Sequence, residues 1–94
     1  MNINEIMEKL KVEYLDTFHF KVSEIRNKIR EKKQAEVIEI FHQIKGSGKT
    51  YGFSVFSEIA EKAEYEIPKA SQWYAAATEY TNKLEEAYKA IIAQ

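Results

Sequence analysis

Residues that interrupt helices are nearly absent from this sequence. Its 94 residues include one proline and three glycines, and the glycines lie close together at positions 46, 48 and 52. Glutamate, lysine, alanine and isoleucine, by contrast, are abundant. Because glycine and proline most strongly disfavour the interior of a helix, we expect long uninterrupted helices on both sides of the glycine cluster. The sequence therefore predicts an all-α protein.

The spacing of apolar residues predicts a long helical first segment. Asn2 and Glu5 form a capping box, and a stripe of apolar residues with steps of three and four then continues to Ile29. This pattern fits one long helix, and it also fits a short extra N-terminal helix that leads into a second one. A tight turn is expected in the polar run 30–34, which contains neither glycine nor proline.

Three shorter helices are predicted after this turn. The second helix should end within residues 46–49, and the third should span about residues 52–66. Pro68 stops the third helix, because proline disfavours a helix at the preceding residue and cannot continue the hydrogen-bond ladder. The last helix should begin near residue 69 or 71 and run to the C-terminus. Short connections and one-sided stripes predict a single-domain antiparallel up-down four-helix bundle for the whole chain.

Composition and charge narrow the range of partners. The net charge of -1 provides no overall field that would attract nucleic acid or an anionic membrane. The absence of cysteine excludes disulfides and thiol chemistry. No apolar run approaches the roughly 20 residues of a membrane span, and the first residues lack the pattern of a secretory signal. We therefore expect a cytoplasmic protein with neither a nucleic-acid nor a membrane partner.

A histidine precedes the glycine cluster at helical spacing. His42 is followed by Lys45 three places later and by Gly46 four places later, so the three share one helix face. If Phe41 and Ile44 point into the bundle, His42 is rotated by about 100° from Phe41 and should be partly exposed. Glycine inside a helix costs about 1 kcal/mol relative to alanine, and such departures tend to occur at functional sites.

These residue types together describe a surface that can hold a phosphoryl group. His42 offers a nucleophilic imidazole, Lys45 a cation for a phosphoryl oxygen, and Gly46 open backbone for a partner's approach. Three more residues share this face, and they complete the candidate binding surface: Ile38, Glu39 and Lys49. Lys49 would add positive charge. His19 has no comparable neighbours and is interpreted as a surface or flanking residue, so neither a metal site nor a cofactor is expected.

The run from residue 42 to residue 53 resembles the histidine-containing phosphotransfer (HPt) domains of bacterial phosphorelays. It is similar in particular to the first domain of chemotaxis histidine kinases, in which the same pattern leads into an aromatic-Gly-Phe sequence. The residues that carry the resemblance are His42, Ile44, Lys45, Gly46 and 51–53. The match extends to residue 64 and covers about a quarter of the chain. It departs at Lys49, where small or polar residues are usual, and at Phe41, where alanine often stands.

The resemblance implies a role for each matched residue. His42 would accept the phosphoryl group from a response-regulator receiver domain or a histidine kinase, Lys45 would stabilise it, and Gly46 would keep access open. A glutamate on the next helix, Glu64 here, would orient the imidazole, although counting helical rise along the hairpin places Glu61 nearer to His42. Mg²⁺ would belong to the partner receiver, and the chain would have no kinase activity of its own.

Other interpretations of the same stretch are weaker. The run 46–50 resembles the end of a phosphate-binding P-loop, but that motif needs a glycine where this chain has Gln43. The dimerisation helix of sensor kinases carries an acidic residue directly after its histidine, and Gln43 does not fit this pattern either. A helical protein-interaction module in which His42 is inert remains the alternative hypothesis. Burial of His42 would favour that alternative, and exposure would favour phosphotransfer.

Overall fold

The protein is an antiparallel up-down bundle of four helices. The computed structural model describes residues 2–94, and within them no strand is present. The elements are α1 (Ile3–Arg30), α2 (Gln34–Thr50), α3 (Ser54–Glu66), a 3₁₀ turn (Ile67–Lys69) and α4 (Trp73–Ile92). Contacts of α1 with α2, α2 with α3, α3 with α4 and α4 with α1 close the bundle. The predicted all-α fold class is confirmed.

Helix α1 is one continuous helix of 28 residues, so the possible extra N-terminal helix is not a separate element. No glycine or proline interrupts it. The N-cap of the predicted capping box is confirmed, because the Asn2 side chain accepts a hydrogen bond of 2.9 Å from the Glu5 amide, whereas the Glu5 carboxylate contacts the Asn2 side chain at 3.4 Å. Helix α2, with 17 residues, is much shorter. The first turns of α1 therefore project beyond the bundle, and Ile3 and Ile6 are exposed although they belong to the apolar stripe.

The two turns that flank α2 use left-handed backbone. The predicted break in 30–34 is confirmed, and Lys32 adopts a φ of 61° there. Helix α2 continues to Thr50 instead of ending within 46–49. It ends in a Schellman motif: Gly52, with a φ of +83°, bonds back to the Lys49 carbonyl at 3.3 Å, and the Phe53 amide bonds to the Gly48 carbonyl at 2.7 Å. Gly52 thus supplies the left-handed residue that ends the helix.

The core forms where the inward faces of all four helices meet. At its centre the rings of Phe18 (α1) and Phe56 (α3) stack with their centroids 4.1 Å apart. The other fully buried large apolar residues are Ile25, Phe41, Ile44, Val37, Ile67 and Leu84. Thr81 is a core position that the apolar pattern missed, and its hydroxyl is satisfied by donating to the Ala77 carbonyl at 2.7 Å.

The third and fourth helices start later than predicted. Helix α3 begins at Ser54, after the Schellman turn, and α4 begins at Trp73, because extended backbone at Ala70 and a turn at residues 71–72 follow the 3₁₀ turn. Within residues 2–94, none of the helices has the length and apolar character that crossing a membrane requires.

Candidate functional site

His42 lies on the open face of α2. Its neighbours Phe41 and Ile44 are both buried in the core, and the helical rotation of about 100° per residue turns the intervening imidazole outward. The His42 side chain is 67% exposed. The exposure expected from the sequence is confirmed, so the ring is open to a partner molecule.

A carboxylate on α3 holds one of the two ring nitrogens. His42 Nδ1 lies 2.5 Å from Glu64 Oε2. An ionised carboxylate can only accept a hydrogen bond, so the proton of this bond belongs to Nδ1. In the neutral ring Nε2 then carries the lone pair. Glu64 therefore selects the tautomer in which the second nitrogen is the nucleophilic one.

Lys45 shares the same carboxylate. Its Nζ lies 3.6 Å from Glu64 Oε1, whereas the imidazole binds Oε2. The Lys45 side chain is 39% exposed, and it stands one helical turn from His42. The distance is that of an ion pair without a close hydrogen bond. The ammonium is thus kept near the imidazole by an attraction that an incoming anion can replace.

Gly46 leaves the surface beside the ring open. Apart from the adjacent residues and the backbone of its own helical turns, a methyl group placed on it would meet no atom within 4 Å, so packing against another helix does not require the missing side chain. Lys49 and Glu39 are also exposed on this face, whereas Ile38 is half-buried and packs against the core. Most of the predicted binding residues therefore surround His42 on one accessible surface.

The structure brings Glu64, and not Glu61, into hydrogen-bonding distance of His42. Glu61 lines an open groove of about 540 Å³ that borders the candidate site, because Lys45 and Glu64 also line it, together with Glu58, Lys62, Tyr65 and Glu66. The rise count that favoured Glu61 was wrong because it depends on where the turn ends, and both helices border the turn later than predicted. Helix α3 starts at Ser54, and Gly48 contacts Ser57. His42 lies six residues before Gly48 on α2, and Glu64 lies seven residues after Ser57 on α3. The two side chains therefore reach about the same level of the antiparallel pair.

Two residues of the α2–α3 contact were not singled out as site residues by the sequence reasoning. The Ser57 hydroxyl donates to the Lys45 carbonyl at 2.7 Å, and a methyl group on Gly48 would lie 3.0 Å from the Ser57 amide nitrogen. The available signal was a pair of small residues that face each other across the predicted hairpin. The glycine pair 46 and 48 thus has two separate explanations, since one glycine is exposed and the other is buried.

Helix α1 supports α2 from the other side. The Tyr14 and Ser47 hydroxyls are 2.8 Å apart, and Lys21 Nζ donates to Gln43 Oε1 at 3.4 Å. Burial raises the pKa of Tyr14, although the hydrogen bond to Ser47 opposes this shift. The phenol therefore stays neutral and available for this bond.

The second histidine, His19, lies on α1 beside its contact with α4. His19 is exposed, its ring lies against Phe20 with a centroid distance of 4.0 Å, and it lines a groove of about 250 Å³ between α1 and α4. The carboxylate in that groove, Glu85, pairs with Arg26 at 3.3 Å and with Lys89 at 3.4 Å. The Arg26 hydrogen bond lowers the pKa of Glu85. The expected surface position of His19 is confirmed.

Comparison of the chain with protein-family models, with curated proteins and with solved structures finds no match. What the site can do must therefore be judged from its own residues. They provide an exposed imidazole with one nitrogen held by a carboxylate, a lysine on that carboxylate, and open backbone beside both.

Proposed function

We propose that the chain is a histidine phosphocarrier of the HPt type, which takes part in phosphorelay signal transduction. It would accept a phosphoryl group on His42 and exchange it with the phospho-accepting aspartate of a response-regulator receiver domain. A histidine kinase could serve as an alternative donor. The observation that supports this proposal is the exposed His42 ring with Nδ1 bound to Glu64 at 2.5 Å.

The chemical step follows from that geometry. The Nε2 lone pair attacks the phosphorus of a phosphoaspartate, and the Nε2–P bond forms while the P–O bond to the aspartate breaks. The carboxylate leaves with the electron pair. The imidazole ring becomes cationic and keeps its Nδ1 proton, and the adjacent Glu64 carboxylate offsets the new charge. The same step in reverse passes the group to the next aspartate.

Lys45 and Lys49 compensate for the charge of the transferred group. A phosphoryl group bound to Nε2 carries negative charge, and charge-assisted hydrogen bonds to phosphate are stronger than neutral ones. Lys45 is already held near the ring through Glu64, so little reorganisation is needed for it to contact the group. Gly46 leaves room for the edge of the receiver domain.

The partner supplies the remaining components in this proposal. Phosphoryl transfer depends mainly on positioning and charge stabilisation, so Mg²⁺ and its acidic ligands would belong to the receiver domain. The carrier would have no kinase activity of its own and would act in the cytoplasm, where receiver domains are found. The alternative, a helical interaction module with an inert His42, would be favoured by a buried ring. The exposure of His42 and its bond to Glu64 favour the carrier.

Transfer from phosphorylated receivers tests this proposal. Incubation of the chain with a panel of phosphorylated receiver domains should produce an acid-labile phosphoryl group on the chain. His42→Gln should abolish the labelling while circular dichroism shows an intact helical fold, and His19→Gln should be labelled like the wild type. Labelling that survives in His42→Gln, or a wild-type chain that no receiver labels, would refute the proposal.

A further inference from the structure

The contact between α2 and α3 contains two small buried residues without a role in the chemistry described above. Gly48 is buried, and a methyl group on it would lie 3.0 Å from the Ser57 amide nitrogen and 3.1 Å from the Phe53 carbonyl oxygen. Both are backbone atoms, so no side-chain rotation can relieve such a contact, and the close-packed helices would have to move apart by a few tenths of an ångström. Gly48 therefore permits a close approach of α2 and α3 at this point.

Ser57 holds α3 at that distance. Its side chain is 7% exposed, and its hydroxyl donates to the Lys45 carbonyl at 2.7 Å. A buried hydroxyl without a partner costs about 1–3 kcal/mol, so this bond favours one height and one rotation of α3 relative to α2. The acceptor is the backbone of a residue whose ammonium belongs to the candidate site.

Glu64 lies on the same stripe of α3 as Ser57. Seven residues of helix correspond to about 700° of rotation and about 10.5 Å of rise, so the two side chains point in directions only about 20° apart. The Ser57 contact sets the distance of α3 from α2, and the Glu64 side chain places a carboxylate oxygen 2.5 Å from His42 Nδ1. Because the helix between them is continuous, a displacement at Ser57 is transmitted to Glu64.

We propose that Gly48 and Ser57 are positioning residues for phosphoryl transfer. The helix separation that they set keeps the Glu64 carboxylate on Nδ1 and thereby keeps the lone pair on Nε2. They act through Glu64 and touch neither the imidazole nor a phosphoryl group. Their effect on the reaction rests on the function proposed above, whereas their effect on the His42 tautomer does not.

The His42 tautomer provides a direct readout. Long-range ¹H–¹⁵N NMR on the full chain should show Nδ1 protonated and Nε2 unprotonated in the wild type. Glu64→Ala should shift both ¹⁵N resonances toward the tautomer mixture of an unrestrained imidazole, which defines the endpoint. Gly48→Ala and Ser57→Ala should shift them part of the way to that endpoint. Gly46→Ala, the same change two residues earlier, should leave the resonances at their wild-type positions because its methyl group would lie within 4 Å neither of another helix nor of the His42 side chain.

The rate of transfer provides the second readout. Gly48→Ala and Ser57→Ala should slow transfer from a phosphorylated receiver by about 10- to 100-fold, the loss expected when a reacting group is misplaced by up to about 1 Å. Thr78→Ala is the matched control, since it also removes a hydroxyl that donates to a carbonyl, but within α4, to Tyr74 at 2.8 Å. Its transfer rate should equal that of the wild type.

The two readouts separate the possible failures. Wild-type ¹⁵N resonances of His42 in both Gly48→Ala and Ser57→Ala would overturn the positioning role. If Gly48→Ala does not fold, Ser57→Ala decides alone, because it removes a hydrogen bond without adding an atom. If the variants shift the tautomer but no receiver phosphorylates the wild type, the phosphocarrier function is refuted and the positioning of the imidazole stands.

Discussion

The two histidines of this bundle are both exposed, yet their surroundings differ. His42 has a carboxylate on Nδ1, and that carboxylate also pairs with Lys45. His19 lies against an aromatic ring, and the carboxylate in its groove, Glu85, is paired with Arg26 and Lys89. Both regions contain an acid and basic groups. Only around His42 does the acid hold the ring nitrogen.

Exposure is common to both histidines, so exposure alone does not distinguish His42 from His19. The Glu85 carboxylate accepts a hydrogen bond from Arg26, which links α1 and α4. The Glu64 carboxylate joins an imidazole to an ammonium across α2 and α3. Under the proposed function, similar charges would therefore support packing beside His19 and phosphoryl transfer at His42.

Removal of the Glu64 and Glu85 carboxylates should show the largest difference between the surroundings of His42 and those of His19. Glu64→Ala releases the imidazole tautomer and the Lys45 ammonium together, so phosphoryl transfer to His42 should fall by about 100-fold. Glu85→Ala should leave the transfer rate unchanged. Rapid-quench measurement of transfer from a phosphorylated receiver gives both rates. Equal losses of transfer rate in Glu64→Ala and Glu85→Ala would show that the two carboxylates do not differ in their effect on transfer.

Removal of the lysines that pair with these carboxylates should have a smaller effect. Lys45→Ala should slow transfer by about 10-fold, which corresponds to about 1.5 kcal/mol, at the lower end for a hydrogen bond to a charged group. Lys89→Ala should transfer at the wild-type rate. Urea unfolding should confirm that both variants remain folded. A normal rate in Lys45→Ala would show that its ammonium does not stabilise the phosphoryl group.

Gly46 should reveal opposite effects on stability and transfer. Gly46→Ala adds a methyl group in open space within a helix, so the free energy of unfolding should rise by about 0.5–1 kcal/mol. The same methyl group lies beside the imidazole, where a partner would dock, and should reduce transfer severalfold. Ser23 lies beside His19 in the groove between α1 and α4. Ser23→Ala should raise the free energy of unfolding slightly through helix propensity and leave the transfer rate unchanged. Faster transfer in Gly46→Ala would contradict the access role of the glycine.

The smallest effect should come from the ion pair beside His19. The Arg26 hydrogen bond holds the pKa of Glu85 below its ordinary value of 4.5, so its stabilisation is present above that pH and is lost as the pH falls through the lowered pKa. Because Arg26 and Glu85 are half-buried at the protein surface, with 33% and 38% of their side chains exposed, water screens the pair, and Arg26→Ala should cost less than about 1 kcal/mol at neutral pH. Urea unfolding at about pH 7 and about pH 3 should show the difference shrinking in acid. A difference that grows in acid would show that another group dominates.

The sequence predicted the parts of this structure that depend on local chain geometry. The scarcity of helix breakers predicted an all-α protein, and the apolar stripes with their few interruptions predicted four helices. The inward direction expected for Phe41 and Ile44 was enough to place His42 outward. The cap at Asn2 also follows from its neighbours alone. These features depend on rotation and rise within one helix, which are nearly constant.

Contacts between helices were harder to predict. Whether Glu61 or Glu64 meets His42 depends on the length of the α2–α3 turn, since each added residue moves the facing helix by about 1.5 Å and about 100°. The burial of Gly48 against the Ser57 backbone depends on how closely two helices approach. The apolar periodicity of each helix gives no information about the distance between two helices. The exposure of Ile3 likewise reflects the relative lengths of α1 and α2.

The projecting start of α1 gives one helix two levels of local stability. Its first turns have their own cap but no helix beside them, and isolated short helices are only marginally stable in water. From Tyr14 onward the same helix is anchored by stacked aromatic rings, because Tyr14 stacks on Phe53 and Phe18 stacks on Phe56. Amide protons near the start should therefore exchange through local fraying, and those near Phe18 only through global unfolding.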